Sequence, residues 1–338
     1  MRSKATRWAT TAVALVLAGC GGGGDDGFDF NTGGPTAGTG VNPTTGGTGD
    51  GSGSDDAGSG TAASTMDGDG SDTGADSGSD GSGDDGPVVV PGEPCVGVDM
   101  IFVIDNSETM AEEQARLIGS ASAWVNQVNT NIPSGTEGFH IGVLSTDDST
   151  FKTSDGAGTA CMFDSGQVWM ELGPNLGTEL ACALSQGIAG DPDERPMENL
   201  LDALSDEAIM PGGPHEGFLR DNALLVVVLL TDEEDDIEAV TGWGSPGEPA
   251  EWAQTLADRK GGFYQNVVPL SLIGHDPPNA CPPFQWDGAS GAEIAPRLIE
   301  LTESFPAGAY GDLCEPEYNT FLTSTVTGVS SACGNVAG

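Results

Sequence analysis

Seven consecutive apolar residues, Leu224–Leu230 (LLVVVLL), constrain this chain more than any other feature. A strand with one wet face alternates apolar and polar residues. An unbroken run of this length instead suits a strand covered on both faces, as in parallel sheets flanked by helices. The run ends abruptly in Thr231-Asp232-Glu233-Glu234-Asp235-Asp236. A second short apolar run lies upstream: Asp99–Ile104 reads as a strand, and Asp105, Ser107 and Thr109 follow it on alternate residues. Open α/β sheets place their ligands at the C-terminal ends of the strands. If the two strands are neighbours, both oxygen-rich tips lie at one edge.

From Pro94 onward hydrophobic runs alternate with helical patterns. Met110 to about Asn129 predicts a helix, with Met110, Leu117, Ile118, Ala121, Trp124, Val125 and Val128 on one face. Phe139–Ser145 predicts a strand, and Gln167–Leu172 a short strand at the sheet edge. Helices are expected over Thr178–Gln186, Pro196–Ala208, Glu251–Arg259 and Ala295–Glu303, and from Glu317 to about Ser331. Tyr264–Ile273 and Ala309–Leu313 complete the strands. This alternation predicts an α/β fold, a doubly wound, mostly parallel central sheet with helices on both faces. Residues 94–338 form one domain of 245 residues, long enough for a single sizeable core. Trp124 and Trp252 are expected to pack inside it.

Residues 1–93 are of another kind. Arg2, Lys4 and Arg7 precede the apolar run Ala12–Ala18, which is too short to span a bilayer and reads as a secretory signal over residues 1–19. Leu17-Ala18-Gly19-Cys20 resembles a bacterial lipobox, which implies cleavage before Cys20 and acylation of that residue. Gly21, in place of Asp, favours outer-membrane sorting within the cell envelope, facing the periplasm or the surface. Residues 20–93 are rich in Gly, Ser, Thr and Asp and contain no Lys or Arg. Such a segment cannot bury enough apolar surface to offset chain entropy, so a disordered tether is expected. About 70 residues of Gly-rich coil reach roughly 45–50 Å. Met66–Asp72 (MDGDGSD) lacks the terminal Glu that a calcium-binding EF-hand loop needs.

With Cys20 set aside, Cys95, Cys161, Cys182, Cys281, Cys314 and Cys333 remain. An even number in an exported protein reads as disulfides, and no C-x-x-C pair argues for a metal. Six cysteines allow fifteen pairings. The pairing expected here is Cys95–Cys333, Cys161–Cys182 and Cys281–Cys314, of which the first would tie the domain's two ends together.

The net charge is −42, with seven basic against 38 acidic side chains from Pro94 on. Nucleic-acid binding, which needs a basic face, is disfavoured. A soluble, self-repelling monomer is expected, touching a membrane only through its lipid. The domain's own acidity makes a basic or neutral partner as plausible as an acidic one.

The strand followed by Asp105-x-Ser107-x-Thr109, together with Thr231-Asp232, resembles the von Willebrand factor type A family and its metal-ion-dependent adhesion motif, D-x-S-x-S. The resemblance covers roughly 245 of the 338 residues. It implies a divalent cation, Mg²⁺ foremost and Ca²⁺ or Mn²⁺ as alternatives. Asp105, Ser107, Thr109 and Asp232 would hold the ion. It further implies a protein or glycan partner at the sheet's C-terminal edge, with Asp147 and Trp243 in the flanking loops as candidate contacts. Two features depart from the family pattern. Thr109 stands where Ser is usual, and the loop Gly187–Arg195 (GIAGDPDER) lacks the family's third-loop Thr. Asp191, Asp193 or Glu194 could supply that oxygen, or Thr178 if the helix register differs. A carboxylate there would neutralise the ion, weaken its pull on a partner's acidic group and favour Ca²⁺.

Other readings of the same residues stand beside this one. Asp and Ser are also helix N-cap residues, so Asp105 or Ser107 could cap the following helix. Glu233–Asp236 could be a solvated face, an extension of the metal site or a place for a second ion. With a degenerate motif the chain would be a cation-independent structural or assembly component of the envelope. An enzyme is not expected: His140, His215 and His275 form no H-E-x-x-H pair, and no G-x-S-x-G elbow or phosphate loop occurs.

Overall fold

The computed structural model describes residues 91–285 and 291–337. The expected signal segment, Cys20, the Met66–Asp72 stretch and all but the last residues of the expected tether lie outside them. In chain order the elements are β1 (Pro91–Glu93), β2 (Val98–Ile104), α1 (Ala111–Asn131), β3 (Phe139–Ser145), α2 (Leu176–Ala183), α3 (Pro196–Ala203), α4 (Asp206–Ile209), β4 (Leu224–Leu230), α5 (Glu238–Thr241), α6 (Pro249–Asp258), β5 (Val267–Ile273), α7 (Pro296–Glu303), β6 (Ala309–Asp312), α8 (Asn319–Cys333) and β7 (Val336–Ala337).

Five strands form one parallel sheet in the order β3-β2-β4-β5-β6. The apolar runs explain why both faces are covered. Along β2, Met100, Phe102 and Ile104 enter one core layer, and Ile101 and Val103 enter the other. Along β4, Leu224, Val226, Val228 and Leu230 alternate with Leu225, Val227 and Leu229 in the same way. The first layer packs against α1, α2 and α8, the second against α3, α6 and α7. Trp124 and Trp252 are buried, one in each layer. The chain leaves β2 to one side for β3, then crosses back so that β4 pairs on the other side. The point where strand order reverses therefore lies between β2 and β4, and open α/β sheets form their ligand crevice at such a point.

Cys95–Cys333, Cys161–Cys182 and Cys281–Cys314 are disulfide-bonded, the pairing expected from the sequence. The first lies beside the antiparallel pair β1–β7, so two segments 238 positions apart are clasped together.

Three expectations fail locally. Gln167–Leu172 is not a strand: only Met170 exchanges main-chain hydrogen bonds with Ile141 of β3, at 2.8 Å each way. The Ser165 hydroxyl folds back onto the Trp169 carbonyl and Gly166 takes a left-handed φ of 67°, so this stretch turns instead of extending. The helix expected over Pro196–Ala208 breaks at Ser205, whose extended backbone starts the separate turn α4. Residues Tyr264–Asn266 are a 3₁₀ turn ahead of β5. Among the described residues no helix is long and apolar enough to cross a membrane.

Candidate metal centre

Strand register brings the two acidic tips together. Ile104 pairs with Leu230, so Asp105 and Thr231 leave the sheet side by side. The Asp105 amide donates to the Leu230 carbonyl at 2.9 Å, and the Thr231 hydroxyl donates to Asp105 Oδ2 at 2.9 Å. Asp105 Oδ1 accepts the Ser107 amide at 2.7 Å. Neither residue caps α1, whose N-cap position is Met110 and carries no side-chain cap. The capping reading of Asp105 and Ser107 is therefore set aside. The loop turns on the Asp105 carboxylate, and the Ser107 and Thr109 hydroxyls come to lie 3.2 Å apart. Neighbouring oxygens in a six-coordinate Mg²⁺ shell lie about 3 Å apart, given bonds of 2.0–2.1 Å.

The third loop reaches the same place through backbone contacts. Gly190 donates to the Asn106 carbonyl at 2.8 Å, and a Cβ at Gly190 would come within 2.6 Å of the Asn106 side chain. Gln114, buried in the first turn of α1, ties the two loops. Its Nε2 donates to the Asp105 carbonyl at 2.9 Å and to the Gly187 carbonyl at 2.7 Å, and its Oε1 accepts the Gly187 amide at 3.1 Å. Gln114 was not singled out from sequence, and Thr231 only as part of the Thr231-Asp232 pair. The signal for Gln114 was available. It continues the buried stripe Leu117, Ala121, Trp124 and Val128 by one helical step, and a polar side chain on such a stripe needs polar partners inside.

The candidates for the missing third-loop oxygen separate clearly. Glu194 is 3% exposed, and neither of its carboxylate oxygens has a hydrogen-bond partner. Burial pushes its pKa up to about 11, and the nearby Asp105, Asp147 and Glu233 charges add to the effect. Asp193 is turned elsewhere, accepting the Gly244 amide at 2.6 Å and the Arg195 guanidinium. Asp191 spends its side chain on the Asp193 amide at 3.0 Å. Thr178 is exposed on α2, where the neighbouring Gly177 lies against Ser122 of α1. Ser122 is 11 residues into α1, roughly 16 Å along the helix from its first turn. The structure therefore does not bring Thr178 to the other candidates.

Asp232 is 5% exposed, and its Oδ1 has no partner. Burial, then the Asp105 charge, raises its pKa to about 7, while the Thr109 hydroxyl works the other way. Asp105 itself is raised, chiefly by complete burial, with the Ser107 amide and the Ser107 and Thr231 hydroxyls opposing. Buried carboxylate oxygens without donors are costly unless a cation meets them. The donor set fits a hard divalent ion. Asp105, Ser107, Thr109, Asp232 and Glu194 could hold it, and the ion would supply fixed positive charge at this edge. Among the described residues, the group of three His, Cys, Asp or Glu ligand atoms within 4.8 Å of one another is Cys281, Asp312 and Cys314. The two sulfurs there are joined in a disulfide, so this group is no metal site.

Asp147 and Trp243 lie at the rim. Asp147 is exposed and stitches loops together, accepting the Asn106 side-chain amide at 2.9 Å and the Asp191 amide at 3.2 Å. Trp243 is 49% exposed and borders a cavity that Glu194 also lines. Glu233–Asp236 is not simply a solvated face. Asp235 is buried, accepting the Ser245 amide and hydroxyl and the Met197 amide, and Glu234 accepts the Arg297 amide at 2.8 Å.

No protein-family model matches this chain, and no curated protein does. Similar solved structures include two of proximal thread matrix protein 1 from the mussel byssus. One is described as crystal form 2, with TM-score 0.39, and the other as having a zinc-occupied MIDAS motif, with TM-score 0.41. Each is 12% identical over 71% of this chain and 49% of the other. The manganese-loaded TRAP protein of Plasmodium vivax is 13% identical over 74% of this chain and 79% of its own, with TM-score 0.35. This chain spans about half the length of the mussel structures. The fold class rests on its own strand order and register.

Proposed function

We propose that this chain is an extracytoplasmic binding module of the von Willebrand factor type A kind. In this reading a divalent cation at the β2–β4 edge mediates contact with a protein or glycan partner. One observation carries it. Three buried carboxylate oxygens, both of Glu194 and one of Asp232, have no hydrogen-bond partner, and both residues lie within electrostatic reach of Asp105, whose loop sets the Ser107 and Thr109 hydroxyls 3.2 Å apart. Asp105 and Asp232 carry the charge, the two hydroxyls add neutral oxygens, and Glu194 takes the place of the family's third-loop Thr. Mg²⁺ is the first expectation. A carboxylate at position 194 supports Ca²⁺ as its competitor, with Mn²⁺ third. The first 19 residues would direct export. Lipid on Cys20 would hold the chain to the envelope, on the outer membrane, and residues 20–93 would let a monomeric domain stand clear of the bilayer. We assign the chain no catalytic role.

Isothermal titration of the folded protein with Mg²⁺, Ca²⁺ and Mn²⁺ tests the central claim. Saturable binding of one ion, abolished in Asp105→Ala, is expected. A protein that binds none of the three, or an Asp105→Ala variant that binds as well as the parent, would leave the cation-independent envelope component as the better description.

A further inference from the structure

His215 lies in the loop between α4 and β4 and is 1% exposed. Both of its ring nitrogens meet main-chain groups of other segments. Nδ1 is 2.9 Å from the carbonyl of Ala203, the last residue of α3. The Phe151 amide, in the segment that follows β3, donates to Nε2 at 3.1 Å. A carbonyl can only accept and an amide N–H can only donate, so the ring carries its proton on Nδ1 and a lone pair on Nε2. An imidazolium has no lone pair to offer. Burial holds the His215 pKa below the ordinary histidine value, while the Ala203 carbonyl and the Asp148 charge work the other way.

A satisfied histidine in a core is commonly a matter of packing. This one differs in what it holds. The imidazole stacks on the Phe151 ring at 3.9 Å, and that ring lies over Gly142 of β3, where a Cβ would come within 2.7 Å of it. The next amide, Lys152, donates to the Val143 carbonyl of β3 at 2.8 Å. Between β3 and Phe151 the chain is open to solvent at Asp147, Asp148 and Thr150. Asp147 is the residue that accepts the Asn106 side-chain amide and the Asp191 amide at the rim of the candidate metal centre. Among the described residues, Asp148 is the charge that acts on the ring, and it is paired with Lys152 at 3.0 Å. Asp202 of α3, Asp206 and Glu207 of α4 and the adjacent Glu216 are exposed. Asp206 pairs with Arg259, and Glu216 accepts the Gly212 amide at 2.8 Å. His140 of β3 joins the same aromatic cluster through Phe218.

We infer that His215 is an acid-sensitive latch: the neutral ring holds the 146–152 segment against β3, and protonation of the ring releases it. A proton on Nε2 sets one N–H against another at Phe151 and places a charge inside a packed layer, both of which are costly. Lifting the segment relieves both, because it separates the two donors and lets water reach the ring. The sign follows from linkage. A histidine that resists protonation when closed favours the closed state above its ordinary pKa, and that contribution is lost as pH falls. Asp147 travels with the segment, so acidity reaches the rim of the sheet's C-terminal edge. The inference goes beyond the proposed binding role and holds whether or not an ion binds.

The test uses the folded protein in EDTA. Nitrogen NMR reads the His215 ring, and hydrogen exchange, corrected for its intrinsic pH dependence, reads the Phe151 and Lys152 amides. At pH 7 the ring should be neutral with its proton on Nδ1, and both amides should be protected. Opening coupled to one proton grows by at most about tenfold per pH unit below the ordinary histidine value of about 6.5. Protection of both amides should therefore fall by about fivefold or more between pH 7 and pH 5, while Val227 and Val228 in β4 keep theirs. His215→Gln cannot take up a proton, so its Phe151 amide should exchange alike at both pH values. Asp148→Asn removes a charge that favours the proton and should shrink the fall. If His215→Gln does not fold, the native protein and Asp148→Asn still decide the matter. A ring with its proton on Nε2 at pH 7, or Phe151 protection unchanged between pH 7 and pH 5, overturns the inference. So does a fall that persists in His215→Gln, since it would give the response to another group.

Discussion

The Thr231 hydroxyl donates to the Asp105 carboxylate at 2.9 Å, across 126 positions of sequence. It is the side-chain link between the tips of β2 and β4, and it fixes one of the two carboxylate oxygens on which the first loop turns. A partner that orients a metal-binding carboxylate commonly contributes ten- to a hundredfold to affinity. Thr231→Val keeps the shape and removes the donor. Titration should show divalent-cation affinity falling roughly tenfold or more. Far-ultraviolet circular dichroism should be unchanged, because β4 is held by its apolar residues on both faces.

In the proposed site, Glu194 should make cation binding a proton-releasing event. With its pKa near 11 in the ion-free protein, the carboxyl is protonated at pH 7, and Asp232, near 7, is about half so. Ligation requires both to be ionised. Cation binding at pH 7 should therefore release about one to two protons, measured as the dependence of calorimetric heat on buffer ionisation enthalpy. Glu194→Gln should lower that number by about one and weaken binding. An unchanged proton count would remove Glu194 from the ligand set.

How far the sequence could lead is clearest at these residues. β4 was legible because a strand buried on both faces has no polar positions to blur its ends, and β2 and β3 because apolar residues dominate them despite Asp99 and His140 near their starts. Asp105, Ser107, Thr109 and Asp232 were legible because they follow such strands directly. Glu194 was only one of several acidic residues in a nine-residue loop. Asp193 is engaged by its near neighbour Arg195 and, across 51 positions, by the Gly244 amide, and composition cannot show that second contact. The stretch around Met170 misled for a related reason. Its apolar run Val168-Trp169-Met170 suited a short strand, but the Ser165 hydroxyl and the Gly166 turn took the backbone elsewhere.

Acidity at the sheet edge gives stability a defined pH dependence. Asp232 near 7, Glu233 near 8, Glu234 near 7 and Asp235 near 6 all sit above their ordinary values of 3.8 or 4.5, burial being the largest cause in each. Raised carboxyl pKa values mean that the folded state binds more protons than the unfolded chain between about pH 4 and 8. Stability of the ion-free protein should therefore fall as pH rises through that window, and go on falling more gently above it while Glu194, near 11, stays protonated in the folded state. Thermal melts in EDTA should show a drop of roughly 5–10 °C between pH 5 and 8. Saturating Mg²⁺ or Ca²⁺ should flatten the slope, since a bound ion favours ionised ligands. A slope that is the same with and without divalent ions would place the titrating groups away from the cation.

The clasp at the other end of the sheet should be independent of all this. Cys95 precedes β2 and Asp105 follows it, so the seven residues of the strand, roughly 20 Å, separate the Cys95–Cys333 bond from the proposed ion. A bond closing so long a loop removes much freedom from the unfolded chain, and native disulfides typically contribute about 2–4 kcal/mol. In a domain of this size each kcal/mol moves the melting temperature by about 2–4 °C. Replacing both Cys95 and Cys333 by Ser should therefore lower the melting temperature by roughly 5–15 °C. Affinity for the cation should stay within about twofold, because Asp105, Thr231 and Gln114 hold the site through hydrogen bonds at its own edge. Loss of cation binding along with stability would mean that the β2–β4 register depends on the clasp, and that the apolar strands alone do not set the two tips side by side.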